Sequence, residues 1–368
     1  MKDSGFPILK YEPNKSYLEW GISHGEEYRE QIKDLFHIRK ELMLKRNPAL
    51  SNHLDPMALA QYEETLKYCG ESAREIEGIA KGSNLSLTDI VILNNYTDFR
   101  DIELLEQGCS TVQVQNEKNI LSGQTWDMHS SAKNYLCVIE IPETEYASKS
   151  LILTVTGCVG LMGISADSCL IGVNNINTTK AEKGLIWPSL VRKVLEGKNL
   201  SQMRDILVNA PVTSGHNYLI SSPNGAEQWE ITPTQKDLVH AHADGESGLS
   251  FHTNHCLGEN VAKIESDKNV SATSHARYNI LAEKAHTVTN TLELKKLLQS
   301  HDGYPLSICS HYDNGQSKDP SQTCGGGMAN LSTGDIQFWR GCPEYDQNYK
   351  EYTYQLNSED KSFTLLKS

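Results

Sequence analysis

The sequence has 368 residues, enough for two ordinary domains or for one large α/β unit. Asp and Glu outnumber Lys and Arg by 47 to 34, which gives a formal net charge of −13. Because nucleic acids and anionic membranes attract clustered positive charge, this balance argues against both as partners. No apolar run approaches the roughly 18 residues of a transmembrane helix, and the N-terminus lacks the apolar core of a secretory signal. We therefore expect a cytoplasmic protein.

Nine cysteines are scattered along the chain without a Cys-x-x-Cys pair. In a cytoplasmic protein such thiols stay reduced and behave as small buried apolar groups, so we expect no disulfide framework. His252, His255 and Cys256 resemble metal ligands, but alternate positions of a strand point to opposite faces, and the usual ligand spacing is missing. The sequence therefore predicts no metal site.

The first hundred residues are predicted to be helical. Apolar residues recur at helical spacing over 16–45 and again over 56–80, where Gly82 follows as a stop signal. A capping box at Ser86 and Asp89 opens a third helix. This helical segment leads directly into the next feature.

Residues 108–127 predict a β-hairpin, because apolar and polar residues alternate on both sides of a polar turn at 116–119. Cys109 and Asp127 are equidistant from Lys118, so we expect them to lie opposite each other at the same end of the hairpin. A Gly-Cys step that opens a strand, with a carboxylate opposite, indicates an N-terminal nucleophile that is released by self-cleavage.

The rest of the chain alternates between groups of strands and pairs of helices. The predicted elements are strands 135–141, 151–156 and 169–174, helices 186–195 and 200–209, strands 217–221, 227–232 and 238–242, helices 272–285 and 291–300, and strands 328–331, 336–339 and 351–355. Gly325–Gly327 is predicted to be a turn. Two groups of strands with helices around them favour an α+β fold of two stacked sheets.

Four sequence blocks, in order, carry a family resemblance. Glu75–Gly82 precedes the Gly-Cys-Ser-Thr and Gly-Gln-Thr-Trp-Asp ends of the hairpin, and Phe251–Cys256 and Tyr304–Cys309 follow it. The set resembles the isopenicillin N acyltransferase (acyl-CoA:6-aminopenicillanic acid acyltransferase) family of N-terminal nucleophile (Ntn) hydrolases, and it is also similar to the beta-alanyl amine hydrolases of that family. The resemblance implies an αββα sandwich over 109–368 and a helical N-terminal segment, 1–108, that self-cleavage would release as a separate chain.

The residues of the hairpin allow a specific chemistry. Cleavage of the Gly108–Cys109 bond would give Cys109 an α-amine with a pKa of roughly 7.7–8.0, which can act as base for its own thiol. The resemblance implies that Asp127 holds this amine and that Asn254 stabilises the oxyanion. Four further residues are candidate substrate contacts: Asn174, His255, Ser310 and His311.

One departure from the family leaves alternatives open. Relatives usually carry Arg where this chain has Ser310, so a guanidinium that could pair with Asp127 is predicted to be missing, with His311 as a partial replacement. One alternative is an uncleaved Cys–His hydrolase that uses His129 or His311; another is a catalytically silent binding protein. The expected substrate is an N-acyl amine or an acyl thioester such as acyl-CoA, with no cofactor. Self-association into a homo-oligomer stays open.

Overall fold

A computed structural model of the chain describes residues 3–101, 108–179, 181–266, 272–313, 315 and 317–368. The α-helices are α1 Tyr17–Glu27, α2 Arg29–Arg46, α3 Leu54–Tyr68, α4 Gly70–Ser83, α5 Leu87–Asn94, α6 Tyr96–Asp101, α7 Trp187–Val194, α8 Leu200–Val208, α9 Ala272–Lys284 and α10 Thr291–Leu298. The strands are β1 Ile8–Lys10, β2 Cys109–Gln115, β3 Ile120–His129, β4 Leu136–Ile141, β5 Ser150–Val155, β6 Met162–Ser165, β7 Leu170–Asn175, β8 His216–Ser222, β9 Gly225–Ile231, β10 Lys236–Ala243, β11 Gly248–His252, β12 Ser321–Asn330, β13 Asp335–Arg340, β14 Lys350–Asn357 and β15 Ser362–Lys367.

The strands form two sheets. Sheet A has eight strands in the order β1-β4-β5-β6-β7-β8-β9-β10, and sheet B has seven in the order β11-β2-β3-β12-β13-β14-β15. The predicted hairpin is β2–β3, in the interior of sheet B. Helices α7 and α8 pack on sheet A, and helices α9 and α10 pack on sheet B. The predicted α+β class, with two sheets between helical layers and a helical N-terminal segment, is confirmed.

The two faces of the hairpin differ in chemistry. The face toward sheet A is polar: the Thr111 hydroxyl donates to Asn174 Oδ1 at 2.8 Å, and Ser122 donates to Ser221 at 2.8 Å. The other face is apolar and packs Val112 and Leu121 in one cluster with helices α9 and α10. The alternation predicts a half-buried strand, but both faces of β2 are buried, and one of them is filled by hydrogen-bonded polar groups.

The N-terminal helices are shorter than predicted. The segment 16–45 divides at Tyr28, and the segment 56–80 divides at Cys69. Helices α1 and α4 cross at very close range, because a Cβ on Gly21 would overlap the backbone of α4, and a Cβ on Gly78 would overlap that of α1. The capping box at Ser86 and Asp89 is confirmed. No helix in the described part of the chain is long and apolar enough to span a membrane.

Four short strands were missed, namely β1, β6, β11 and β15, and one predicted turn was wrong. Gly325–Gly327 lies inside β12, between β3 and β13. A Cβ at Gly326 would overlap the Trp339 ring. The glycines therefore allow a large side chain to lie across the strand, rather than reversing the chain.

Candidate active site

The hairpin brings Cys109 and Asp127 to the same end of sheet B, but in a register that differs from the prediction by one residue. Cys109 pairs with Trp126, and the Asp127 N–H donates to the Gly108 carbonyl oxygen at 2.8 Å. The predicted pairing of Cys109 with Asp127 is therefore wrong, since the turn is centred between Glu117 and Lys118. As a result, the Cys109 side chain shares a strand face with Trp126, and the Asp127 carboxylate projects from the other face.

Gly108 lies where a side chain would not fit. A Cβ at this position would lie 2.5 Å from Asp127 Oδ2 and 2.5 Å from Arg277 Nη2. The absence of a side chain lets a carboxylate and a guanidinium approach the Gly108–Cys109 peptide bond.

Arg277, on α9, organises the polar groups around this bond. Its Nη1 donates to the Cys109 carbonyl oxygen at 2.6 Å and to Ser110 Oγ at 2.9 Å. Its Nη2 donates to Asn254 Oδ1 at 2.8 Å. The side chain is fully buried, and Nε lies 4.0 Å from Asp127 Oδ2. The prediction that Asp127 lacks a guanidinium partner is therefore wrong, because α9 supplies one from a different part of the chain.

The Asp127 carboxylate is buried and only partly hydrogen-bonded. Its Oδ1 accepts from Thr323 Oγ1 at 2.6 Å. Its Oδ2 accepts no hydrogen bond from the residues that the structure describes. Burial raises the pKa of Asp127 to about 6, although the positive charge of Arg277 opposes the shift. The carboxyl group therefore changes its ionisation close to neutral pH.

Asn254 contacts the backbone of the proposed nucleophile. Its Oδ1 accepts from the Cys109 N–H at 2.8 Å, while its Nδ2 donates to the Asn175 carbonyl oxygen at 2.7 Å. The Ser274 hydroxyl accepts from the Asn254 N–H and fixes this position from α9. The structure thus brings Asn254 to Cys109 as predicted, and its role toward an oxyanion stays a prediction.

The remaining candidates lie around the site rather than in it. Asn174 accepts from Thr111 and Asn217 within the polar layer between the sheets. The His255 Nδ1 lies 2.8 Å from Ser274 Oγ, and burial lowers the pKa of His255 to about 4. Neither residue lines the pocket at Cys109. Their predicted contact with substrate has no support in this geometry.

Ser310 and His311 diverge although they are neighbours in sequence. The Ser310 N–H donates to Thr323 Oγ1 at 2.7 Å, which connects its backbone to Asp127 through one hydroxyl. The His311 ring instead lies beside Cys309 and His301, with Nε2 at 3.7 Å from Cys309 Sγ. The thiol that His311 contacts is therefore not the predicted nucleophile.

His129, the other candidate base, is the last residue of β3, two positions after Asp127. Its Nδ1 lies 2.8 Å from Ser131 Oγ and 3.3 Å from Asp319 Oδ2, and its ring packs on the edge of Tyr96. These contacts give the ring a structural role. Neither histidine of the Cys–His alternative gains support from its surroundings.

A narrow pocket opens at Cys109. Its walls combine large apolar side chains with a similar number of polar ones, and the lining includes Trp126, Leu161, Trp187, Thr97, His216 and Asn254. Burial lowers the pKa of His216 to about 3, so this ring is neutral. Trp187 Nε1 donates to Thr97 Oγ1 at 2.9 Å, which fixes one wall. The sequence motifs did not indicate Trp187 or His216, which come from α7 and β8.

The sequence of this chain is similar to that of known acyltransferases. The family model described as acyl-coenzyme A:6-aminopenicillanic acid acyl-transferase matches residues 114–323. The acyl-coenzyme A:6-aminopenicillanic-acid-acyltransferase 40 kDa form of Emericella nidulans is 26% identical over 304 residues, which cover 82% of this chain and 84% of that protein.

Two solved structures resemble the chain more distantly. One is a Caenorhabditis elegans N-acylethanolamine-hydrolyzing acid amidase ortholog, at a TM-score of 0.42 and 12% identity, covering 61% of this chain and 93% of that one. The other is a mutant conjugated bile acid hydrolase from Clostridium perfringens, at a TM-score of 0.42 and 9% identity, covering 70% and 97%.

Proposed function

The chain belongs to the acyl-coenzyme A:6-aminopenicillanic acid acyl-transferase family, and from this membership we propose a self-processing Ntn amide hydrolase and acyltransferase with Cys109 as nucleophile. The observation that carries the proposal is the environment of the Gly108–Cys109 bond. The Asp127 N–H donates to the carbonyl oxygen of Gly108, and Arg277 donates to that of Cys109.

The proposed cleavage uses these groups in sequence. Cys109 Sγ attacks the Gly108 carbonyl carbon, and the developing oxyanion keeps the hydrogen bond from the Asp127 N–H. The C–N bond breaks as Cys109 N takes the proton that the thiol gives up, which leaves a thioester between Gly108 and Cys109. Water then hydrolyses the thioester to a Gly108 carboxylate and a free thiol.

Cleavage would convert Cys109 N from an amide into a base. The new amine would lie near Asn254 Oδ1, which now accepts from the same nitrogen at 2.8 Å. The amine takes the thiol proton as Sγ attacks an external acyl carbon, and it later returns a proton to the leaving group. The S-acyl enzyme then passes its acyl group to water or to an amine.

The pocket walls indicate the class of substrate. Trp126, Leu161 and Trp187 offer apolar surface to an acyl group, and no charged residue besides Asp127 lines this part of the described structure. We therefore infer an N-acyl amine or an acyl thioester such as acyl-CoA, with its reacting carbonyl at Cys109; the free volume of this pocket, about 20 Å³, is too small for a whole acyl chain. A second cavity of about 370 Å³ is lined by Met57, Ala60 and Asp98. Asp98 Oδ1, at this cavity, lies 3.5 Å from Nε2 of His216, at the pocket beside Cys109.

Intact mass measurement tests the proposal. Scaling the 41.1 kDa chain by residue count predicts fragments of about 12 kDa and about 29 kDa. Cys109→Ala should give one full-length mass and no turnover of amide or thioester substrates. Cys169→Ser, which changes another buried thiol, should be cleaved like the natural sequence. A full-length mass in the natural sequence together with substrate turnover would refute the cleavage mechanism.

A further inference from the structure

A second group of chemically reactive side chains lies outside the pocket at Cys109. It consists of His301, Cys309, His311 and Cys342, and we refer to it as the Cys₂His₂ cluster. One ligand atom from each residue lies within 4.8 Å of every other. His301 follows α10, Cys309 and His311 lie in the loop before β12, and Cys342 follows β13. The fold therefore assembles four ligands from three separate segments.

Three distances within the cluster are close to those of a tetrahedral metal site, and every pair of ligand atoms lies within 4.8 Å. Zinc bonds of about 2.0–2.1 Å to nitrogen and about 2.3 Å to sulfur place two nitrogen ligands about 3.3–3.4 Å apart and nitrogen and sulfur about 3.5–3.6 Å apart. The two Nε2 atoms of His301 and His311 are 3.3 Å apart. Cys309 Sγ lies 3.7 Å from His311 Nε2, and Cys342 Sγ lies 3.3 Å from His301 Nε2.

The surroundings of the cluster also fit a bound cation. The second ring nitrogen of His301, Nδ1, lies 3.3 Å from Glu344 Oε2 without a hydrogen bond among the described residues, so this carboxylate contributes a nearby negative charge. Cys309 and Cys342 are only 2% and 3% exposed, whereas both histidines are partly exposed. An ion can thus enter from the surface and still be held by buried sulfur.

The choice of metal follows from the ligands. Two thiolates and two imidazoles in a tetrahedral arrangement suit zinc, and the two thiolates neutralise its charge. All four positions are supplied by protein, so such a site would be structural rather than catalytic.

We propose that His301, Cys309, His311 and Cys342 bind one zinc ion in a closed structural site. The ion would join the end of α10, the loop before β12 and the end of β13. Ser310 lies between two of the ligands, and its N–H donates to Thr323, which in turn donates to Asp127. The zinc site would thereby hold the backbone that supports the carboxylate of the active site.

Metal content of the purified full-length chain tests the proposal. The protein is produced under reducing conditions with added zinc sulfate, desalted without chelator and measured by plasma mass spectrometry. We expect about one zinc per chain in the natural sequence and in Cys169→Ser, and about tenfold less in Cys342→Ser and in His301→Ala. A chelator should lower the thermal midpoint of the natural sequence and leave that of Cys342→Ser unchanged.

Two further measurements keep the test decisive if these variants fold poorly. Cobalt added to the metal-free natural chain should produce a thiolate-to-cobalt absorption band, which requires sulfur ligands. Peptide mapping without reductant should show Cys309 and Cys342 as free thiols after chelation. Loss of zinc from Cys169→Ser as well, absence of zinc and of the cobalt band, or a Cys309–Cys342 disulfide in the natural chain would each overturn the proposal.

Discussion

Arg192 and Arg277 each lie buried next to a carboxylate, one between two helices and the other at the Gly108–Cys109 bond. In the first pair, Arg192 Nη1 donates to Glu75 Oε2 at 2.9 Å, and the Tyr11 hydroxyl donates to Oε1 at 2.7 Å. Both oxygens of Glu75 therefore have a partner. This pair joins α4 to α7, where the geometry of a satisfied buried ion pair is expected.

The second pair is arranged differently. Arg277 directs its short hydrogen bonds to Cys109, Ser110 and Asn254 and stays 4.0 Å from Asp127. One Asp127 oxygen accepts no hydrogen bond from the described residues. A buried guanidinium and carboxylate therefore stabilise the fold when they hydrogen-bond to each other. They are available for chemistry when they do not.

Breaking the structural pair should have the largest effect. Glu75→Ala leaves Arg192 buried without its carboxylate, so we expect a loss of about 3–5 kcal/mol in the free energy of unfolding, measured by denaturant titration. Glu71→Ala is a matched control, because Glu71 lies on the same helix and faces Lys193 at 3.9 Å near the surface. It should change stability by less than about 0.5 kcal/mol. Equal losses in both variants would show that burial does not distinguish the two pairs.

Breaking the second pair should act on cleavage more than on folding. Arg277→Gln removes the donors that position the Cys109 carbonyl and Asn254 beside the scissile bond, and we expect the rate of fragment formation to fall by about 10²-fold. The rate is followed by intact mass after a shift to cleavage conditions. Arg204→Gln, which loses a partly exposed pair with Glu227, should be cleaved normally. An unchanged rate in Arg277→Gln would remove this residue from the mechanism.

Replacing the Asp127 carboxylate by a neutral amide should stabilise the protein in a pH-dependent way. The pKa of Asp127 in the folded protein, about 6, lies above its ordinary value. Ionised Asp127 therefore lowers the free energy of unfolding, and this loss develops as the pH rises through the range between the two values. In a Cys109→Ala background, Asp127→Asn should therefore be more stable by up to about 3 kcal/mol at pH 8, and this advantage should vanish near pH 4. Denaturant titrations at the two pH values measure it. An advantage that does not depend on pH would contradict the assignment.

The smallest effect is expected at the hydroxyl between Ser310 and Asp127. Thr323→Val keeps the shape of the side chain but removes a hydrogen bond that favours the ionised carboxylate. The pH at which substrate turnover becomes half-maximal should rise by less than about one unit, because ionised Asp127 holds the α-amine of the cleaved enzyme. Thr333→Val, at an exposed loop, should leave the pH profile in place. A shift toward lower pH would contradict the proposed role of the carboxylate.

The features that could be predicted from the sequence depend on contacts within one continuous stretch of the chain. The hairpin carries its own alternation and turn, so its strands, Cys109 and the nearby Asp127 follow from one continuous stretch. Even there, the register differed by one residue, because the position of the turn centre within four polar residues is not determined by alternation alone.

The parts that escaped prediction depend on contacts between distant segments. Arg277 lies 168 residues after Cys109, and the sequence of α9 around it mixes polar and apolar residues as an ordinary helix does. The Cys₂His₂ cluster likewise joins His301 and Cys342, which are 41 positions apart, without a familiar spacing. The guanidinium beside Asp127 was expected at the position of Ser310, but the fold supplies it from Arg277 on α9. Only the packed fold reveals this difference.

The pairing of β1 with β4 has a consequence for the processed protein. Residues 8–10 run parallel to 138–140 in sheet A, so the segment before the scissile bond contributes a strand to a sheet of the segment after it. Hydrolysis of one peptide bond would thus yield a heterodimer whose two polypeptides share a sheet, and which only a denaturant would separate. Genes for 1–108 and 109–368, expressed together behind separate start codons, should then assemble without any cleavage event.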